Sequence, residues 1–287
     1  MTNALEIRGL VKRYEGFELG KIDLVLPSGC VMGLVGANGA GKSTTIKLIL
    51  NMLRRDEGEV RLLGMDARAQ SRQIMNEVGV ALDEACFPEC ANARQVGKIL
   101  AAAYERWEEK TYARYLERLC VPQGQPIKEF SLGMKRKLAL AAALSHGARL
   151  LILDEALGGV DPVAREDILE IFNQYTRNER NAILISSHIV SDLERISDYV
   201  AFLRAGKLLL CEEKDALLER YGVARLSRER FASLGEAAVV GKRVSPYGVE
   251  AVVERSAVPA DVQVGPVSLE ELFVCMARGK GDAGAAA

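Results

Sequence analysis

Residues 36–44 read Gly-Ala-Asn-Gly-Ala-Gly-Lys-Ser-Thr, with the apolar run Val31–Val35 (VMGLV) before them and a helical pattern over Lys42–Met52 behind. A continuous apolar run that stops at a glycine suits a strand buried on both faces of a sheet. Gly36, Gly39 and Gly41, with Asn38 and Ala40 between them, let the backbone curl so that its N–H groups point inward and hold phosphate oxygens. A helix beginning near Lys42 adds the positive end of its dipole. In the pattern G-x-x-x-x-G-K-[ST], Lys42 places a point charge on the β and γ phosphates, the Ser43 hydroxyl ligates Mg²⁺, and Thr44 completes the motif. The expected ligand is ATP with Mg²⁺; the bland alternative is a tight strand–helix turn.

The same alternation continues to residue 211. Leu5–Arg8, Ile22–Leu26 and Val60–Leu63 read as early strands, and Leu150–Leu153 (LLIL) and Ala182–Ile185 (AILI) have the unbroken apolar character of residues 31–35. Helices are expected over 42–52, 92–107, 135–145 and 165–175; the second puts Val96, Ile99, Leu100, Ala103 and Tyr104 on one face, with Trp107 closing it. This is an α/β pattern with a mostly parallel core sheet and antiparallel strands near the N-terminus. The pattern changes after about residue 213. A helix is expected over 214–221, a strand pair over 237–244 and 249–254 around Pro246-Tyr-Gly248, and a last helix through Met276 behind the capping box Ser268-Leu-Glu-Glu271. The expected domains are 1–213, with a helical insertion at about 84–146, and a small α+β extension over 214–280; the end, 281–287 (GDAGAAA), is expected to be disordered.

Composition narrows the partners. The 287 residues are 49% apolar, enough for a full core. A formal net charge of -1 gives no bulk attraction to nucleic acid, which is not expected as a partner. No apolar run reaches the ~18 residues of a spanning helix, and MTNALEIRGL is not a secretory signal. Of six cysteines, only Cys86 and Cys90 are close and no second pair sits at ligand spacing, so free thiols in a reducing, cytoplasmic compartment are expected rather than a zinc site.

Leu150-Leu-Ile-Leu-Asp154-Glu155 reads as a buried strand delivering two acids to the carboxyl edge of the sheet, where open α/β sheets bind ligands. Asp154 suits the Mg²⁺ shell, mostly through water, and Glu155 suits a general base that polarises water against the γ-phosphate. Taken alone, the run could equally be a strand ending in exposed acids.

Just ahead stands Phe130-Ser131-Leu132-Gly133-Met134-Lys-Arg-Lys. Together with the phosphate loop and the acidic strand, it resembles the signature of ATP-binding cassette (ABC) transporter nucleotide-binding subunits, near Leu-Ser-Gly-Gly-Gln. Ser131 and Gly133 match; Phe130, Leu132 and Met134 depart, in a Ser-Leu-Gly-Met-Lys variant familiar among exporter ATPases of the family. A serine hydroxyl and a glycine N–H at a helix start can hold an anion, or the serine is a plain N-cap. The resemblance implies that Ser131 and Gly133 face ATP on a second subunit. It gives Gly159-Val-Asp161-Pro the role of the loop coupling the two sites, although Asp-Pro is equally a helix start. It implies that Tyr14 stacks on adenine and that His188, after AILISS, contacts the γ-phosphate; alone, either residue could be structural. The family's glutamine after the strand ending near Leu82 is here Asp83, which keeps an oxygen ligand but is shorter and adds a charge; it is expected to reach Mg²⁺ through water. Ala156 stands where proline is usual and loosens the turn.

The resemblance covers about residues 4–213, with five motifs in order, and Ser268–Phe273 also looks like the C-terminal helix of drug- and antibiotic-exporter ATPases. It implies a P-loop NTPase fold with the signature on a helical subdomain, and an exporter ATPase with Lys42, Glu155 and His188 as its catalytic groups. It also implies a separate integral-membrane permease, a second ATP-binding subunit (the same chain or another) and a place on the inner face of the membrane. The surface at 83–92, with Phe87 and Pro88, would receive the permease's coupling helix, or is a solvated loop. Competing readings are a non-hydrolysing regulatory subunit, a soluble ABC ATPase acting on ribosomes or nucleic acid, and a small-molecule kinase. His146 matches no motif.

Overall fold

The computed structural model describes residues 3–83, 87–235 and 238–278. In chain order its first elements are β1 (Asn3–Tyr14), β2 (Phe17–Pro27), β3 (Val31–Val35), α1 (Lys42–Ile49), β4 (Glu57–Leu62), β5 (Met65–Asp66), α2 (Ser71–Glu77) and β6 (Val78–Ala81). There follow α3 (Ala93–Ala103), α4 (Glu109–Arg118), α5 (Leu132–Ala143), β7 (Leu150–Asp154), α6 (Pro162–Thr176), β8 (Ala182–Ser187), α7 (Val190–Ile196), β9 (Tyr199–Arg204) and β10 (Lys207–Glu213). The last are α8 (Lys214–Arg220), β11 (Tyr221–Leu226), α9 (Arg228–Ala232), β12 (Val239–Ser245), β13 (Gly248–Glu254), β14 (Val264–Gly265) and α10 (Leu269–Arg278). The chain divides into two units, Met1–Ile189 with Ile196–Cys211, and Val190–Arg195 with Glu212–Ala287.

In the first unit, a six-stranded sheet runs β10-β9-β3-β8-β7-β6, and the pairings β9–β3, β3–β8, β8–β7 and β7–β6 are parallel. Every residue of β3, β7 and β8 is buried, as unbroken apolar runs require of central parallel strands. The antiparallel sheet β2-β1-β4-β5 instead alternates buried and exposed positions, because only one of its faces is covered. Leu5, Ile7 and Val60 from that sheet pack with Ile46 and Leu48 of α1 and with Leu34, Ile152 and Leu184 of the parallel sheet in one core. Each fully buried aliphatic side chain contributes about 1.5–3 kcal/mol, so α1, although only eight residues long, is held by packing rather than by its own propensity.

The segment between β6 and β7 carries α3, α4 and α5. The single helix expected over 92–107 is two elements. Asn92 opens α3 with a reciprocal capping box to Gln95, but α3 ends at Ala103 and α4 begins only at Glu109. Tertiary contacts claim the residues between: Arg106 donates to the Asn76 carbonyl (2.9 Å), and the Trp107 ring lies 5.0 Å from that of Tyr112. The buried face of α3 is Ala93, Val96 and Gly97, set against Tyr112 of α4, which leaves Ile99 53% exposed.

The second unit contains the antiparallel sheet β12-β13-β11-β14. Its core is Ala224, Ala251, Val253 and Val262, with Phe231 and Val264 packed against it. The Arg255 guanidinium pins β11 to β14 by donating to the carbonyls of Tyr221, Val264 and Gly265 at 2.8–3.0 Å. Ser268 and Glu271 exchange the hydrogen bonds of a capping box at the start of α10. Ala237 and residues 281–287 lie outside the described residues. Among the described residues no helix is long and apolar enough to cross a membrane.

Candidate functional site

The register of the parallel sheet sets the site. Val35 pairs with Ser187, and Asp154 pairs with Ser186. Gly36, Glu155 and His188, the next residues in each case, therefore leave the sheet close together at its carboxyl edge. The loop then turns into α1 through Gly41, whose φ of 106° belongs to glycine and whose place would bring a Cβ within 2.9 Å of Leu19 and 3.2 Å of Phe17.

Beside the loop lies a cleft of about 480 Å³. Ala37, Asn38, Gly39 and Gly41 line it together with Lys42, Ser43 and Thr44; Gly36 and Ala40 are buried within the loop itself. Phe17, Asp83, Arg136, Glu155 and His188 complete its lining. The sequence thus brings its loop, its base candidate, its histidine and Asp83 to one cavity.

Charged contacts organise the cleft. The buried Lys42 ammonium donates to the Gly36 carbonyl (2.7 Å) and pairs with Glu155 Oε1 (3.2 Å). Glu155 Oε2 lies 2.7 Å from His188 Nδ1 and accepts from the His188 backbone N–H at 3.4 Å. Glu155 has a φ of 51°, and its own N–H donates to the carbonyl and hydroxyl oxygens of Ser186, each at 3.2 Å. The Ser186 hydroxyl donates in turn to Asp154 Oδ1. Asp154 is buried and does not itself line the cleft. Asp83 does line it, with its carboxylate paired to Arg136 of α5.

Ser131, Gly133, Asp161 and Tyr14 lie off the cleft lining. Ser131 caps α5 by accepting from the Met134 N–H (3.2 Å). Asp161 caps α6, and the Ala164 N–H (2.9 Å), followed by the Lys137 ammonium (3.0 Å), holds its carboxyl below the usual carboxylate range. Tyr14 is 44% exposed, its ring centroid 6.4 Å from that of Phe17, and it is Phe17 that reaches the cavity wall. Sequence reasoning missed Phe17 and Arg136. Phe17 follows the turn only three residues after Tyr14, so a second aromatic on that hairpin was a usable signal; Arg136 stood unremarked inside the signature run.

Residues 19–158 match the family described as ABC transporter. The chain is 32% identical over 214 residues to the lantibiotic transport ATP-binding protein SrtF of Streptococcus pyogenes, covering 74% of this chain and 91% of that protein. This chain belongs to the ABC transporter family. The likeness to a second family member, the ABC transporter ATP-binding protein YtrB of Bacillus subtilis (strain 168), is 27% over 290 residues and spans 96% of this chain and 99% of that one, C-terminal unit included. A solved ATP-binding subunit of an ABC transporter superposes on 75% of the chain and 92% of its own length, with a TM-score of 0.68 and 26% identity. As an ABC cassette the chain is an ATP-binding subunit.

Proposed function

We propose that this chain is the ATP-hydrolysing subunit of an ABC exporter, driving a separate integral-membrane permease from the inner face of the membrane. The observation that carries the reading is the contact chain Lys42–Glu155–His188 along a cleft floored by the phosphate loop. The amides of Gly36–Gly41 and the N-terminal turn of α1 hold phosphate oxygens, and Thr44 closes the loop. The aromatic pair Tyr14 and Phe17 offers faces for adenine stacking. Lys42 now shares its charge with Glu155; a γ-phosphate competes for the same ammonium. When it wins, Glu155 Oε1 turns free to accept a proton from water, while Oε2 stays on His188 beside the terminal phosphate. Binding and arming of the base become one event. Magnesium takes one or two protein oxygens plus phosphates and water rather than an all-protein cage; the Ser43 hydroxyl, which lines the cleft, would hold it directly, and the Asp154 and Asp83 carboxylates through water. When bound, it would neutralise developing negative charge on the phosphates.

The site is incomplete in one chain. Ser131 and Gly133, at the start of α5, and Asp161 lie away from the cleft, so a second cassette closing head to tail brings them to the nucleotide. Phosphate release should then rise with the square of enzyme concentration in the dilute range and cooperatively with ATP, and the protein should fractionate with membranes through its permease. Release strictly linear in enzyme, together with co-sedimentation with ribosomes, would overturn the proposal. The tie of Asp83 to Arg136 favours one second reading, a non-hydrolysing partner in a heterodimer; ATP binding without any phosphate release from the pure chain would select it.

A further inference from the structure

Arg136 connects three parts of the site that the phosphate loop does not reach. It lies on the first turns of α5, is only 9% exposed, and lines the same cleft as Lys42 and Glu155. Nη1 donates to the Gly158 carbonyl, in the segment just after Glu155, and Nη2 pairs with Asp83 beyond the end of β6. The space for the guanidinium exists because residue 158 has no side chain: a Cβ there would fall 2.6 Å from Nη1 and 3.2 Å from Cζ. Asp83 is the more exposed partner, 47% against 10% for the arginine side chain.

A carboxylate facing a cleft for a triphosphate repels its ligand, and a nearly buried guanidinium without an anion is costly. Each residue is tolerable because of the other. We propose that Arg136 is a positioning residue that cancels the charge of Asp83 and ties that acid to the segment carrying Glu155, so that the pair jointly sets nucleotide affinity. This rests on the ATP-binding reading above and deepens it.

A double-mutant cycle on the full chain tests it, using an imido-bridged, non-hydrolysable ATP analogue and calorimetry in Mg²⁺ and again in EDTA. Arg136→Gln leaves Asp83 uncompensated and should raise Kd on the order of tenfold, the usual scale of coupling between two such groups. The penalty should be larger in EDTA, where the nucleotide carries more negative charge. In EDTA, where no metal contact enters, Asp83→Asn alone should bind more tightly than the parent, because the repelling charge is gone. In EDTA, Asp83→Asn with Arg136→Gln should return Kd to within about threefold of the parent, because neither charge remains. Arg136→Lys, which keeps the cation and is the fallback if the glutamine variant does not fold, should hold Kd within about threefold in Mg²⁺ even where thermal melts show lost stability. Additive effects in the cycle, a penalty indifferent to EDTA, or Arg136→Lys weakening binding tenfold would each overturn the inference. Failure of the parent to bind the analogue at all would instead overturn the ATP-binding reading itself, which separates the two outcomes.

Discussion

Glutamine in place of Glu155 isolates the chemistry of the cleft. The native side chain is 11% exposed and makes three contacts: Lys42 Nζ at 3.2 Å, His188 Nδ1 at 2.7 Å and the His188 N–H at 3.4 Å. Glutamine keeps the volume and one acceptor oxygen but takes no proton from water. Loss of a general base lowers turnover ~10²–10⁴-fold, about 3–5 kcal/mol of activation. Leaving a buried charge uncompensated costs ~3–5 kcal/mol, but Lys42 keeps the carbonyls of Gly36 (2.7 Å) and Ala37 (3.4 Å). The stability loss should therefore be about 1–2 kcal/mol, the scale of one charged hydrogen bond. A phosphate on Lys42 removes that penalty, so the variant should bind ATP more tightly by up to the same amount, roughly 5–30-fold. Single-turnover phosphate release and equilibrium ATP binding, with thermal melts at zero and saturating Mg²⁺·ATP, report all three effects. Turnover within threefold of the parent would remove Glu155 from the chemistry. Weakened ATP binding would show that Lys42 does not exchange the carboxylate for phosphate.

Three further outcomes test other parts of the structure. Phe17→Ala should weaken ATP binding more than Tyr14→Ala, by about 1–3 kcal/mol for a lost base–aromatic stack; the reverse order would return the adenine contact to Tyr14. His146, buried against the Val78 carbonyl and stacked 4.0 Å from the Tyr104 ring, has its pKa lowered from 6.5 chiefly by desolvation. The unfolded chain thus takes up this proton first, so its share of stability is complete above about pH 6.5 and is lost as pH falls through that value toward the depressed folded pKa; denaturant melts between pH 5 and 8 should flatten in His146→Gln. Gly133→Ala places a Cβ 2.5 Å from the Gly159 carbonyl oxygen. The start of α5 must shift, costing about 1–3 kcal/mol, with unchanged denaturation midpoints as the refuting result.

What could be read from the sequence was whatever the chain enforces locally. VMGLV, LLIL and AILI announce central strands because burial on both faces demands unbroken apolar runs, and the glycine loop announces its ligand because few residues can make that curl. Fold class and the capping box at Ser268 follow from the same local logic. The break between α3 and α4 did not, since the contacts that end α3 come from Asn76 and Tyr112 rather than from a proline or glycine in the segment. β14, two residues long, carries no period at all and exists through Arg255 and the edge of β11. Asp83 was legible as a departure from the family, but its partner lies 53 positions away on another element, beyond the reach of any spacing argument.

The adjacency of Asp154 and Glu155 poses a problem that the fold resolves through one serine. Successive residues of a strand point to opposite faces, yet the proposed chemistry needs both acids at one site. Glu155 leaves the strand in the left-handed region, φ 51°, a strain of about 1–3 kcal/mol for a residue other than glycine, and this turns its side chain to the cleft while Asp154 stays buried beneath. Ser186 holds both: its hydroxyl donates to Asp154 and accepts from the Glu155 N–H. Ser186→Ala removes the two bonds while the Ser186 carbonyl still receives that N–H. Stability should fall by about 1–3 kcal/mol, because the buried Asp154 oxygen loses its donor. Turnover should fall further than ATP affinity, because the phosphate loop is untouched while the base loses its orientation. If Ser186→Ala instead raised KM and left kcat intact, the serine would belong to binding, and the strained turn at Glu155 would have to be held by the β7–β8 ladder alone.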